Sequence, residues 1–196
     1  MATRTGTHIP PPEERFHANI VKMTSLIRGI VERANKAGYD HVTPFLIDVA
    51  SNYLNNNFDK VQLIEGFIRQ SHPLDKDGHI DHSLWDKIRS RDEEFFREKA
   101  FDIFKSLPVD AVNAFKNLSL YRDPKTGQSI IKPEERDEII DYFHSFVKIS
   151  IKYIHAKRQP YLVDNKYIYR NPSYLRGIDV LSHAKKWQIQ LEFTRQ

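Results

Sequence analysis

The sequence predicts a mainly α protein: a helical bundle of about six helices with a small C-terminal β-containing basic module. Three observations predict it. Apolar residues recur at helical spacing from Phe16 to Ile154, the periodicity of helices with one buried face. Prolines sit where such runs should begin, at Pro12, Pro44, Pro108 and Pro133, positions that suit the first turn of a helix. After Pro160 the helical period gives way to short runs of Tyr, Leu, Val and Ile, which read as strands.

The first helix is expected from about Pro12 to Ala37. Glu13 and Glu14 favour the positive end of its dipole, and Gly38 offers a left-handed stop. Phe16, Ile20, Met23, Ile27, Ile30, Val31 and Ala34 form its buried stripe. Thr43 and Pro44 open a second helix through Leu54, broken by Asn55, Asn56 and Asn57. A short third helix carries Val61, Ile64, Phe67 and Ile68, followed by a polar loop from His72 to His82. Ser83, with Asp86 three positions on, opens a fourth helix whose apolar side runs from Leu84 to Phe104. Leu107 and Pro108 start a fifth around Val112, Phe115 and Leu118, and Asp123, Pro124 and Gly127 form a turn.

Pro133 opens the best-punctuated helix. Acids at Glu134, Glu135, Asp137 and Glu138 precede basic residues at Lys152, His155, Lys157 and Arg158, so both ends complement the dipole. Ile139, Ile140, Phe143, Phe146, Val147, Ile149, Ile151 and Ile154 cover more than a narrow stripe, which places this helix centrally. Next, Tyr161 to Val163 and Lys166 to Tyr169 read as a hairpin turning at Asp164 and Asn165. A short helix is expected through Tyr174, Leu175, Ile178 and Leu181. Trp187, Ile189, Leu191 and Phe193 alternate with polar residues, the period of a strand. The division is a flexible arm over 1–12, a helical domain over 13–158 and a basic aromatic module over 159–196.

At 196 residues and 40% hydrophobic, the chain can bury one core without disulfides. It has no cysteine, which excludes thiolate zinc sites and cysteine nucleophiles. Glycine-rich phosphate loops and the G-x-S-x-G elbow are absent. With no long apolar run and no leader pattern in Met1 to Pro12, a soluble intracellular protein without a membrane span is expected. Asp92, Glu93 and Glu94 alternate with Arg89, Arg91, Arg97 and Lys99, the spacing of a solvated face of ion pairs rather than a catalytic carboxylate pair. No catalytic residue is nominated, and no cofactor.

The charge is uneven. Lys148 to Gln196 holds ten basic residues against three acids, a net +7, which leaves the first 147 residues at −3. Such a split steers anionic partners. The same segment is rich in rings, so contact residues are expected at Lys157, Arg158, Tyr161, Lys166, Tyr167, Tyr169, Arg170, Lys185, Lys186, Trp187, Ile189, Leu191 and Phe193. Three readings compete. The rings could stack on bases while the cations neutralise phosphates, or they could close the module's own small core. In the third, favoured reading, Trp187 to Phe193 adds as a strand to a partner protein's sheet.

A resident metal is not expected. With Gly78 at the sixth position of a calcium loop, Pro73 replaces the first carboxylate and Leu84 the closing glutamate. Asp75, Asp77, His79, Asp81 and His82 are the residues a metal would have to use, and the spacing of His72, His79 and His82 fits no helical zinc motif. A metal-dependent enzyme built on this loop is therefore the most distant function considered. His41, His144, His155 and His183 are scattered, and His144 and His155, on the long helix, read as packing or capping residues.

Two blocks carry a resemblance: Trp85-Asp86-Lys87-Ile88 leading to Arg91-Asp92-Glu93-Glu94-Phe95-Phe96, and Phe146-Val147-Lys148-Ile149-Ser150-Ile151-Lys152-Tyr153-Ile154-His155. With the Leu107-Pro108 start between them, they resemble a group of small helical proteins encoded by large eukaryotic double-stranded DNA viruses, over about 84–158. The resemblance implies a viral protein acting in an infected cell or a virion, as a compact adaptor or capsid-associated component. It transfers no active-site residue. The function expected is thus a non-enzymatic helical interaction protein docking a partner through its basic aromatic end, with sequence-tolerant nucleic-acid binding as the alternative.

Overall fold

The computed structural model describes residues 8–39, 48, 50–52, 59–105 and 109–195. It is mainly helical with a small sheet near the C-terminus. The helices are α1 (Pro12–Lys36), α2 (Lys60–Gln70), α3 (Ser83–Arg89), α4 (Glu93–Glu98), α5 (Val109–Leu120), α6 (Pro133–Lys157) and α7 (Val180–Lys186). Single 3-10 turns lie at Ala100–Ile103 and Tyr174–Gly177. Most of the helix expected from Thr43 to Leu54 lies outside the described residues. No helix among those described is long and apolar enough to cross a membrane.

Two 25-residue helices, α1 and α6, form the spine. They run antiparallel: Phe16 meets Phe146 at a ring separation of 4.8 Å, Asn19 donates to Ser145 at 3.1 Å, and Arg33 pairs with Glu135. Gly38, at φ 95°, ends α1 as expected. Phe67 from α2 packs at an angle on Phe16 and Phe146, and Phe104 closes the group. Edge-on and tilted ring pairs of this kind add to the transfer free energy of burial.

The helix expected to run from Ser83 to Phe104 is broken. Ser90 and a left-handed Arg91 (φ 58°) interrupt it, and Asp92 recaps α4 by accepting from the Phe95 N–H at 2.8 Å. An Asp side chain that can cap competes with continuing the helix. The break aims Arg91 across the groove at Asp141 (2.9 Å) and Asp137 (3.3 Å) of α6.

The hairpin is present: β1 (Pro160–Val163) pairs antiparallel with β2 (Lys166–Tyr169), and Asp164 and Asn165 both adopt positive φ in the turn. β3 (Thr194–Arg195) joins β1 in parallel, giving the order β2-β1-β3. The strand expected over Trp187 to Phe193 is corrected. α7 is capped at Trp187, and Gln188 turns left-handed (φ 54°), so the Ile189 N–H reaches back to the Ala184 carbonyl at 2.8 Å. That bond is a helix-terminating loop, not a ladder rung. Leu175, Ile178, Val180, Ala184, Trp187 and Leu191 join the same apolar cluster as α1 and α6.

Candidate metal centre

The contact residues expected at the C-terminal end divide into two groups. Lys157, Lys166, Arg170, Lys185 and Lys186 are exposed. Lys157 and Arg170 lie over the rings of Tyr153 and Tyr161, and Lys186 pairs with Asp86 at 3.2 Å. The rings and apolar residues turn inward instead. Trp187 and Leu191 are buried, while Ile189 and Phe193 are half-buried. Tyr167 packs edge-on against Phe193, and Tyr169 packs on His155, its hydroxyl 3.2 Å from Nδ1. Arg158 is buried as well. Its guanidinium donates to the carbonyls of Ile178 (2.6 Å) and Tyr174 (3.1 Å), which fastens the segment after β2 to the end of α6.

The loop from His72 to His82 divides likewise. Asp75, Asp77 and His79 come within ligand distance of one another on the exposed surface. The Asp75 carboxylate, however, accepts from the backbone N–H groups of Asp77 and His79 at 2.9 and 2.8 Å, closing its own turn. Asp81 accepts from the Ser83 N–H at 2.8 Å at the start of α3, and the Ser83 side chain together with that N–H holds its carboxyl below the usual carboxylate range. These acids are turn formers.

His82 has different company. It joins His72 and His183, one ring nitrogen from each lying within 4.8 Å of the others. His72 follows Ser71, the C-cap of α2; His82 immediately precedes α3; His183 lies on the inner stripe of α7 with Val180, Ala184 and Trp187. Asp179 starts α7 by accepting from the Ser182 N–H at 3.0 Å, which sets the phase that turns His183 inward. Trp85 forms one wall, edge-on to His72 (4.3 Å between centroids) and tilted on His183 (4.5 Å), and its indole N–H is held by Ser71 Oγ at 2.8 Å. Arg176 donates to the His72 carbonyl at 3.2 Å.

The protonation state follows from this setting. His72 Nδ1 lies 3.0 Å from the Ile68 carbonyl, so it carries the proton and leaves Nε2 bare. Burial pushes His72 down to about 3 and His183 down to about 4, which keeps both imidazoles neutral at pH 7, the form that ligates metals. The two Nε2 atoms are 3.3 Å apart. A tetrahedral zinc with Zn–N bonds of about 2.0–2.1 Å separates its ligand nitrogens by about 3.3–3.4 Å. A carbonyl bound to the far nitrogen, as Ile68 is to His72, is the usual way a ligating imidazole is oriented.

His183 is not identifiable as a ligand from the sequence. It is 111 positions from His72, and no local spacing connects them. The accessible hint was its place in the apolar i, i+3, i+4 stripe of Val180, His183 and Ala184. His144 and His155 serve packing and hydrogen bonding, as expected: His144 Nε2 meets the Ile88 carbonyl at 2.8 Å, and His155 Nε2 contacts the carbonyl of Glu192.

Compared with protein-family models, curated proteins and solved structures, the chain matches none.

Proposed function

We propose that this chain is a zinc-binding helical protein in which His72, His82 and His183 supply three imidazole ligands. The observation that carries the reading is the 3.3 Å separation of two buried Nε2 atoms, that of His72 unprotonated, with a third imidazole beside them. Three nitrogens fill three of the four positions zinc takes and leave one for water or a side chain from a partner. Because the ligands come from the end of α2, the start of α3 and α7, the ion clamps the C-terminal segment onto the helical body. The rival account of the same contact is a single N–H···N bond between His183 and His72, which needs no ion and no His82.

Isothermal titration of the chelator-stripped full chain with zinc chloride separates the two. One ion per chain is expected, with affinity at least about tenfold weaker in His82→Asn, the mutant being checked for folding by circular dichroism. Absence of heat, or equal affinity in the mutant, would leave the imidazole pair as a simple hydrogen bond.

A second reading, docking of a protein partner, draws on the hairpin. The outer edge of β2 is unpaired among the described residues. The outward face around it carries Val163 (41% exposed), Ile168 (39%), Lys166 and Arg170. An open edge flanked by apolar and cationic side chains suits strand addition by an acidic segment. Fluorescence anisotropy with labelled DNA and RNA at two salt concentrations distinguishes this from phosphate binding, which must weaken steeply with salt.

A further inference from the structure

Beside the first turns of α6 a second concave site opens, with a volume of about 450 Å³, inside the range of about 300–1,000 Å³ typical of small-molecule sites. Its floor is apolar: Phe101 and Phe115 meet edge-on at 4.7 Å, and Ile131, Ile139 and Ile140 are buried beside them. Its rim is cationic. Arg97 comes from α4, Arg136 from the first turn of α6, and Arg122 from the loop after α5, facing a single acid, Glu93.

None of these guanidiniums is strongly neutralised from within. Among the described residues Arg97 reaches only Glu98, at 3.5 Å between exposed groups. Arg122 donates to the Gly127 carbonyl at 3.1 Å, an uncharged partner. Arg136 makes no ion pair among the described residues. Three like charges from three separate elements converging on one opening repel one another, and an anion at that opening relieves the repulsion. Leu120, 68% exposed, adds an apolar side chain at the lip.

An apolar floor with a cationic mouth fits one class of ligand. We infer that this site binds an amphiphilic carboxylate, its hydrocarbon body on Phe101, Phe115 and Ile140 and its head group between Arg122 and Arg136. The planar two-donor fork of arginine matches a carboxylate. The site is independent of the histidine centre and takes none of its residues.

Calorimetric titration of the full chain with octanoate, octan-1-ol and acetate tests this, because the three probes separate body from head. Octanoate is expected to bind with a Kd on the order of 0.1–1 mM, the alcohol at least about tenfold more weakly, and acetate without measurable heat. Arg136→Gln, a change on the exposed surface, should weaken octanoate about tenfold and leave the alcohol unchanged. Ser119→Trp, which fills the mouth, should abolish both. No binding of octanoate, equal affinity for octanoate and octan-1-ol, or an Arg136→Gln variant that binds octanoate as the parent does would each overturn the assignment.

Discussion

Arg158 donates from Nη1 to the carbonyl oxygen of Ile178 at 2.6 Å, with its guanidinium buried and the Tyr169 ring 5.6 Å away. A cation placed on the chain for charge thus acts as an internal fastener between the end of α6 and the segment leading to α7. Burial makes its charged form harder to maintain, which Tyr169 and Asp179 offset in part. Arg158→Ala leaves two carbonyls without donors and is expected to lower stability by about 2–4 kcal/mol, read from urea unfolding followed by circular dichroism. Arg91→Gln, which removes an exposed bridge to Asp137 and Asp141, should change it by less than about 1 kcal/mol.

Removal of Lys186 to Gln196 deletes Trp187 and Leu191 from the apolar cluster. Loss of a buried Trp alone costs about 3–5 kcal/mol, so the truncated chain should melt at a markedly lower temperature and lose cooperativity. A truncated protein as stable as the parent would mean that the segment packs only loosely on α6.

Zinc should stabilise the fold measurably. A ligand present at 100 times its Kd contributes about 2.7 kcal/mol, and for a chain of this size each kcal/mol raises Tm by about 2–4 °C. Differential scanning calorimetry with and without zinc is expected to show a rise of about 5–11 °C, absent in His183→Gln. An unchanged Tm at saturating zinc contradicts the clamp.

Acid should unfold the metal-free protein. Burial lowers the proton affinity of His72, His183 and His155 in the folded state, while in the unfolded chain an imidazole titrates near 6.5. A folded pKa below the unfolded one means that the stability is fully present above pH 6.5. It is lost as pH falls below that, for His72 and His183 through the window toward about 3 and about 4, where their folded rings at last take protons. Each such histidine steepens the decline by up to about 1.4 kcal/mol per pH unit. Urea midpoints between pH 7.5 and 5 in the presence of chelator measure the slope, and His155→Gln should flatten it.

How much of this was legible in the chain depends on how local each cause is. The ends of α1 and α6 are written in Pro12, Gly38, Pro133 and the charges beside them, and the hairpin turn in Asp164 and Asn165. The break at Ser90 to Asp92 was hidden because apolar residues keep helical spacing on both sides of it, and only the reach of Arg91 to α6 resolves the choice. Trp187 to Phe193 alternates like a strand, yet Gln188 turns the chain and the core draws in Trp187 and Leu191. The histidine centre was half visible: His82 was named in the loop, and its partner His183 becomes a neighbour only when α7 docks.

The antiparallel pairing of α1 with α6 has a cost during synthesis. Asn19 and Ser145 touch across 126 positions of sequence, and a ribosome adding about 5–20 residues per second needs about 6–25 s to make that span. For that interval the nascent amino-terminal helix has α2, with Phe67 against Phe16, but not α6 to cover its apolar stripe, and chaperone occupancy or aggregation competes with folding until translation passes the final turn of α6.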